Sequence, residues 1–187
     1  MKTKVFLSSL LLGFLVGGYP TVGLTQTARP VQLSQSQWQP FSDRQGGFTV
    51  LMPGTPASKK QTHNSPLGAI DIYSFTTSLD EGNVTYLVTY SDFPSAVVDL
   101  PPELLLDSIR SGFAADRKIK LLNQQDISLG SYPGKEFKLE VSEKVAITHR
   151  AYLVKQRLYQ VVAQTPVEKG STLSADIEKF LSSFKLL

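Results

Sequence analysis

The chain has no cysteine among its 187 residues. That excludes disulfide frameworks, zinc-thiolate sites, thiol nucleophiles and lipid attachment to an N-terminal Cys. Histidine is scarce, with His63 and His149 alone, and the two fall in different expected elements with no i, i+4 spacing that would mark a metal pair. Both read as ordinary core or surface residues. There is no G-x-S-x-G nucleophile elbow, no G-x-x-x-x-G-K phosphate loop and no G-x-G-x-x-G turn. Carboxylates do not cluster either. Asp80 and Glu81 fall in an expected turn without the ligand spacing of a calcium loop. No cofactor is expected, and the reading is of a protein that is not an enzyme.

Charge of one sign is also missing. The chain holds 19 basic and 16 acidic residues, a formal +3. Residues 1–28 contribute two of the basic residues, Lys2 and Lys4, and no acidic one, so the remainder stands at +1. A near-neutral domain is not a nucleic-acid candidate on charge grounds.

The N-terminus holds the one long apolar run. Lys2 and Lys4 precede Val5 to Val16, then Gly17, Gly18 and Pro20, then a small-residue stretch from Thr21 to Ala28. This is the layout of a secretory signal peptide. The apolar core is shorter than the ~20 residues that span a bilayer. Cleavage is expected after Ala28, with Gly23 as the alternative, and an uncleaved anchor is the other reading of the same segment. Residues 29–37 read as a flexible leader and 38–187 as one domain.

That domain alternates along its length. Phe48, Val50 and Met52 form one stripe, and Val84, Tyr86, Val88 and Tyr90 another. Trp38 and Phe41 are expected to anchor the start of the sheet, with strands to either side of His63–Gly68 and a hairpin loop at Asp80–Asn83. Pro101-Pro102 opens a helix reaching about Asp116, with Leu105, Ile109 and Phe113 inward and Leu104 and Leu106 widening the stripe. A strand follows from Lys118 to Ser128, with Ile119, Leu121 and Ile127 inward. Tyr132-Pro133-Gly134-Lys135 has the residues of a type II turn. Phe137, Leu139 and Val141 then alternate with Glu136, Lys138 and Glu140, a strand with one buried and one wet face. Strands over Val145–Val154 and Leu158–Gln164 follow. A terminal helix carries Leu173, Ile177, Phe180, Leu181 and Phe184 on one stripe, with Ser171, Thr172 or Ser174 as cap. The fold class is α+β: a central antiparallel sheet of about six to seven strands flanked by helices.

The stretches GGFTVLMPGTP, GSYPGKEF, RLYQVV and FLSSFKLL resemble the PsbP-like group of α/β/α sandwich domains, over residues 38–187. The resemblance implies a central antiparallel sheet with helices on its faces. The group includes extrinsic subunits of photosystem II in the thylakoid lumen, Ran-binding nuclear-import factors of the Mog family and exported bacterial proteins. An exported chain is not a Ran partner. Bacterial photosystem-associated members resemble lipoproteins with an N-terminal Cys, which this chain lacks. The shared motifs form the fold, and no functional residue carries over from them.

The expectation is a non-catalytic extracytoplasmic binding or assembly factor in the periplasm, the thylakoid lumen or outside the cell, associated with a membrane protein complex such as a photosystem. The alternative is an enzyme whose site is assembled from scattered polar residues. A protein partner is expected, with peripheral membrane association as a further mode. Two stretches are candidates for the contact. The loop before the first helix is apolar at Phe93, Val97 and Val98, either tucked under the sheet or displayed. Arg110, Arg117 and Lys118 form a basic group with Lys120, either favouring the helix dipole or meeting an acidic surface.

Overall fold

The computed structural model describes residues 37–187 apart from 66–67 and 95–99. The expected signal peptide, most of the leader and both Val97 and Val98 lie outside the described residues. Ten strands and two helices follow in order: β1 (Trp38–Asp43), β2 (Phe48–Pro53), β3 (Ala57–Ser65), β4 (Gly68–Leu79), β5 (Val84–Asp92), α1 (Pro102–Ala115), β6 (Ile119–Leu129), β7 (Tyr132–Val141), β8 (Val145–Val154), β9 (Arg157–Pro166), α2 (Ser174–Ser183) and β10 (Lys185–Leu186). Seven strands form one antiparallel sheet in the order β3-β4-β5-β9-β8-β7-β6. The hairpins β3–β4, β4–β5, β6–β7, β7–β8 and β8–β9 build it locally, and β5–β9 joins the two halves.

Alternation decides which side chain goes where. On β5, β8 and β9, Leu87, Ile147, Ala151, Leu153, Leu158 and Val162 point to one face, where Leu105, Leu106, Ile109 and Phe113 of α1 cover them. Val88, Tyr86, Tyr90, Tyr159 and Val161 point to the other, against Phe180 and Leu181 of α2, Phe184 just beyond it, and Phe48, Val50 and Met52 of β2. Burying each stripe against another element is what gives these helices a reason to form.

The second face corrects the expected architecture. Helices alone do not flank the sheet. β1, β2 and β10 form a separate three-stranded sheet, in the order β1-β2-β10, that shares this face with α2. Trp38 and Phe41 therefore pack from the small sheet onto the large one rather than starting it.

Four local expectations also change. The turn before β7 is at Gly130, whose φ of 62° suits glycine, and Tyr132–Lys135 already belong to the strand. Gly134 serves packing instead: a Cβ there would lie 2.5 Å from Tyr152 Cδ1 and 2.6 Å from the Ala151 carbonyl oxygen. α2 has no side-chain cap, since Leu173 occupies that position and the Ser174 hydroxyl donates to the Ser171 carbonyl. Leu104 lies exposed on the outer side of α1.

Edge strand β6 departs most. Its pairing with β7 slips between Leu121 and Asn123, a β-bulge. The extra residue shifts the alternation, so Ile119 packs with the α1 core and Ile127 with the α2 core. Leu121, expected inward, is 38% exposed, and Leu122 53%.

Candidate functional site

The expected wet face of β7 stays open at Lys138 but is roofed at Glu136. Glu136 is only 4% exposed, because Arg150 of β8 and α2 close over it. Arg150 Nε donates to Glu136 Oε2 at 2.6 Å, Gln125 Nε2 donates to Glu136 Oε1 at 3.0 Å, and Arg150 Nη2 reaches Glu178 Oε2 of α2 at 3.1 Å. A carboxylate that deep needs such partners. Glu178 is held below its usual pKa, first by the hydrogen bond from Ser182, against the opposing effect of burial, and then by the charges of Arg150 and Lys138. Beside this network a groove of about 370 Å³ runs between α2 and the sheet, lined by Ala146, Thr148, Ala163, Thr165, Ile177 and Leu181 among others.

A second cluster sits at the far end of the sheet, next to a cleft of about 450 Å³. Arg157 grips Asp92 with two bonds of 2.6 and 2.8 Å and donates from Nη1 to the carbonyls of Gln45 and Gly46. Its guanidinium lies 4.8 Å from the Tyr90 ring centroid. The Tyr159 hydroxyl also donates to the Gly46 carbonyl. This fork pins the β1–β2 turn to the large sheet, a task suited to the planar guanidinium. A Cβ on Gly46 would meet Tyr90 at 2.6 Å and Phe48 at 2.8 Å, so the turn comes this close through glycine alone.

The third feature is the edge formed by the end of α1 and the start of β6. Arg110, Arg117, Lys118 and Lys120 are all exposed there, next in sequence to the uncovered Leu121 and Leu122. Among the described residues, no ion pair occupies any of these four cations. Phe93 does not join them. It is 4% exposed within the α1 core, with its amide bonded to the Gln156 carbonyl, so its ring is unavailable to a partner. This large aromatic ring just past β5 is part of the α1-side core.

No family model matches the chain, and no curated protein matches it. Solved structures do. The solution structure of CyanoP, the cyanobacterial PsbP of Synechocystis sp. PCC 6803, superposes with a TM-score of 0.55 at 17% identity, covering 92% of this chain and 99% of that one. The crystal structure of LpqN, involved in cell envelope biogenesis of Mycobacterium tuberculosis, superposes at 0.54 with 11% identity, covering 80% and 90%. The fold is PsbP-like.

Within this PsbP-like fold, sequence reasoning found the basic edge but missed the other two clusters. Glu136 is expected on a wet face, and no sequence pattern singles out Arg150 or Thr165. Arg157 and Asp92 stand 65 positions apart and meet only because β5 pairs with β9. His149 was legible as sharing an apolar register. It lies between Phe113 and Phe137 at centroid distances of 5.4 and 5.9 Å, with neither ring nitrogen hydrogen-bonded. Burial pushes its pKa down to about 4, with the Gln160 side chain acting in the opposite sense. Among the described residues no group of three or more His, Asp or Glu side chains is placed to hold a metal ion.

Proposed function

We propose that the protein is a non-catalytic, exported binding or assembly factor that docks on a protein partner through the α1–β6 edge. The observation that carries the reading is that two uncovered leucines, Leu121 and Leu122, adjoin in sequence the exposed cations Arg110, Arg117, Lys118 and Lys120, which form no ion pair among the described residues. An apolar centre with a charged rim is how protein interfaces are commonly arranged, and the rim cations ask for an acidic partner surface. The β6 bulge and Lys120 discourage sheet-to-sheet pairing at this edge, so the contact is made by side chains. Val97 and Val98, which lie outside the described residues, are proposed as a further part of the contact on their sequence alone.

The signal-type N-terminus supports an extracytoplasmic location, periplasm or thylakoid lumen. The part LpqN takes in envelope biogenesis agrees with such a location, and a membrane protein complex such as a photosystem is proposed as the partner from the motif resemblance in the sequence. The test is chemical cross-linking and co-purification from native membranes, comparing the wild type with Lys118→Glu, Lys120→Glu and Leu122→Asp combined. The expected result is a discrete partner complex that weakens with salt and disappears in the variant, with Tm unchanged. Equal capture by the variant overturns the assignment of this edge. Flotation with lipid vesicles in the absence of any protein complex overturns the protein-partner reading in favour of membrane association.

A further inference from the structure

The face of the sheet beneath α2 is filled unevenly. Toward the β8–β9 turn, Tyr152, Tyr159 and Phe184 fill it, with Tyr152 stacked on Phe184 at 6.0 Å. Toward the other end the same face carries Ala146 opposite Thr165 and Thr148 opposite Ala163. Four small side chains in adjacent pairs replace the aromatic layer. Ile177 and Leu181 roof the space, Leu122 borders it, and about 370 Å³ stays open. That is within the size range of small-molecule sites, which are largely apolar with a few placed polar groups.

One polar group there lacks a partner. Thr165 is 1% exposed, and its hydroxyl makes no hydrogen bond. Buried hydroxyls are almost always satisfied. A water in this position wants two to four polar partners; Ala146 and Ala163 lie beside Thr165 on this face, and Thr148 and Ser174 line the same groove without bonding the Thr165 hydroxyl. The charges around the groove already balance: Arg150 lies between Glu136 and Glu178, and Lys138 also acts on Glu178. A charged ligand would be desolvated against no free counter-charge.

We propose that this groove binds a small neutral amphiphile, an apolar body of alcohol or phenol type whose single hydrogen-bonding group meets the Thr165 hydroxyl. This goes beyond the partner contact; Leu122 borders both sites, so the groove is tested at Thr165, Ala163 and Ala146, with Leu122 and the edge cations untouched, and either proposal fails on its own. The probe is cyclohexanol, titrated into the isotopically labelled protein while the methyl signals of Ala146, Ala163, Ile177 and Leu181 are followed. Methylcyclohexane and cyclohexanecarboxylate are the apolar and charged controls.

The expected result is saturable shifts confined to these methyls. Thr165→Val should weaken cyclohexanol about five- to ten-fold, the worth of one hydrogen bond, and leave methylcyclohexane unaffected. Ala163→Leu, which fills the groove from a fully buried position, should abolish both, with the lowered Tm of an overpacked core residue. If that variant does not fold, Ala146→Val provides the same test. Shifts that never saturate, or that survive filling of the groove, overturn the site. Equal binding by Thr165→Val overturns the role of the hydroxyl, and tighter binding of the carboxylate overturns the neutral class.

Discussion

His149 shows what one buried side chain does to the pH response. Its folded pKa of about 4 lies below the ordinary 6.5, because the charged form would lose its hydration among Phe113 and Phe137. Above pH 6.5 both folded and unfolded chains hold it neutral, and its contribution is complete. As pH falls from 6.5 toward 4 the unfolded chain takes up the proton first, so stability drains away, in total on the order of 3 kcal/mol. Urea unfolding across pH 4–7 should show this slope, and His149→Leu should flatten it; an unchanged slope would mean that other groups govern the acid response. Gly134 is the steric counterpart. Gly134→Ala drives a Cβ into Tyr152 and the Ala151 carbonyl, and an overpacked contact of that kind costs about 1–3 kcal/mol. A Tm equal to wild type would show that β7 and β8 separate more readily than their register suggests.

At the scale of elements, α2 and the β1–β2 turn are held by different forces. α2 is docked by its apolar stripe. Phe180 is fully buried and meets Tyr86 edge-on at 5.1 Å, so Phe180→Ala should cost about 3–5 kcal/mol in equilibrium unfolding; a loss below about 1 kcal/mol, the scale of a surface change, would show an undocked helix. The turn is docked by the Arg157 fork. Arg157→Lys keeps the charge but loses the paired geometry. The expected loss is about 1–2 kcal/mol, less than a dry site would give because Asp92 is half exposed. Faster amide exchange confined to residues 43–48 would locate the effect, and exchange rising evenly over the whole sheet would contradict a local clamp. The sequence announces the helix stripe openly, since Leu173, Ile177, Phe180, Leu181 and Phe184 recur at helical spacing. It does not announce the fork, because nothing local distinguishes Arg157 from any other strand-end arginine.

For the whole molecule, the large sheet divides two cores. Phe113 belongs to the α1 side and Phe180 to the α2 side, with no shared ring contact. Phe113→Leu and Phe180→Leu should therefore add to within about 0.5 kcal/mol when combined. Unfolding should still be a single transition, since both cores are built on the same seven strands. Two transitions in fluorescence and circular dichroism would show that α2 and the small sheet unfold separately.

The residues by themselves determined the parts that depend on period. Alternation at two grouped Ile147, His149 and Leu153 on one side of their strand and Tyr159, Val161 and Ala163 on one side of theirs, and spacing near 3.6 placed both helices. Only the tertiary structure decided what lies over each face. Period says which side chains travel together, not what covers them, so Glu136 looked solvated until α2 and Arg150 closed over it. The bulge at Leu122 is a property of pairing with β7, and it moved Ile127 to the opposite core from Ile119. β2 stands outside the main sheet, paired with β1 over six positions and with β10 at Lys185 and Leu186, partners that period alone does not name. The groove over Thr165 exists because residues from β8, β9 and α2, small below and branched above, meet across a distance that no local pattern encodes.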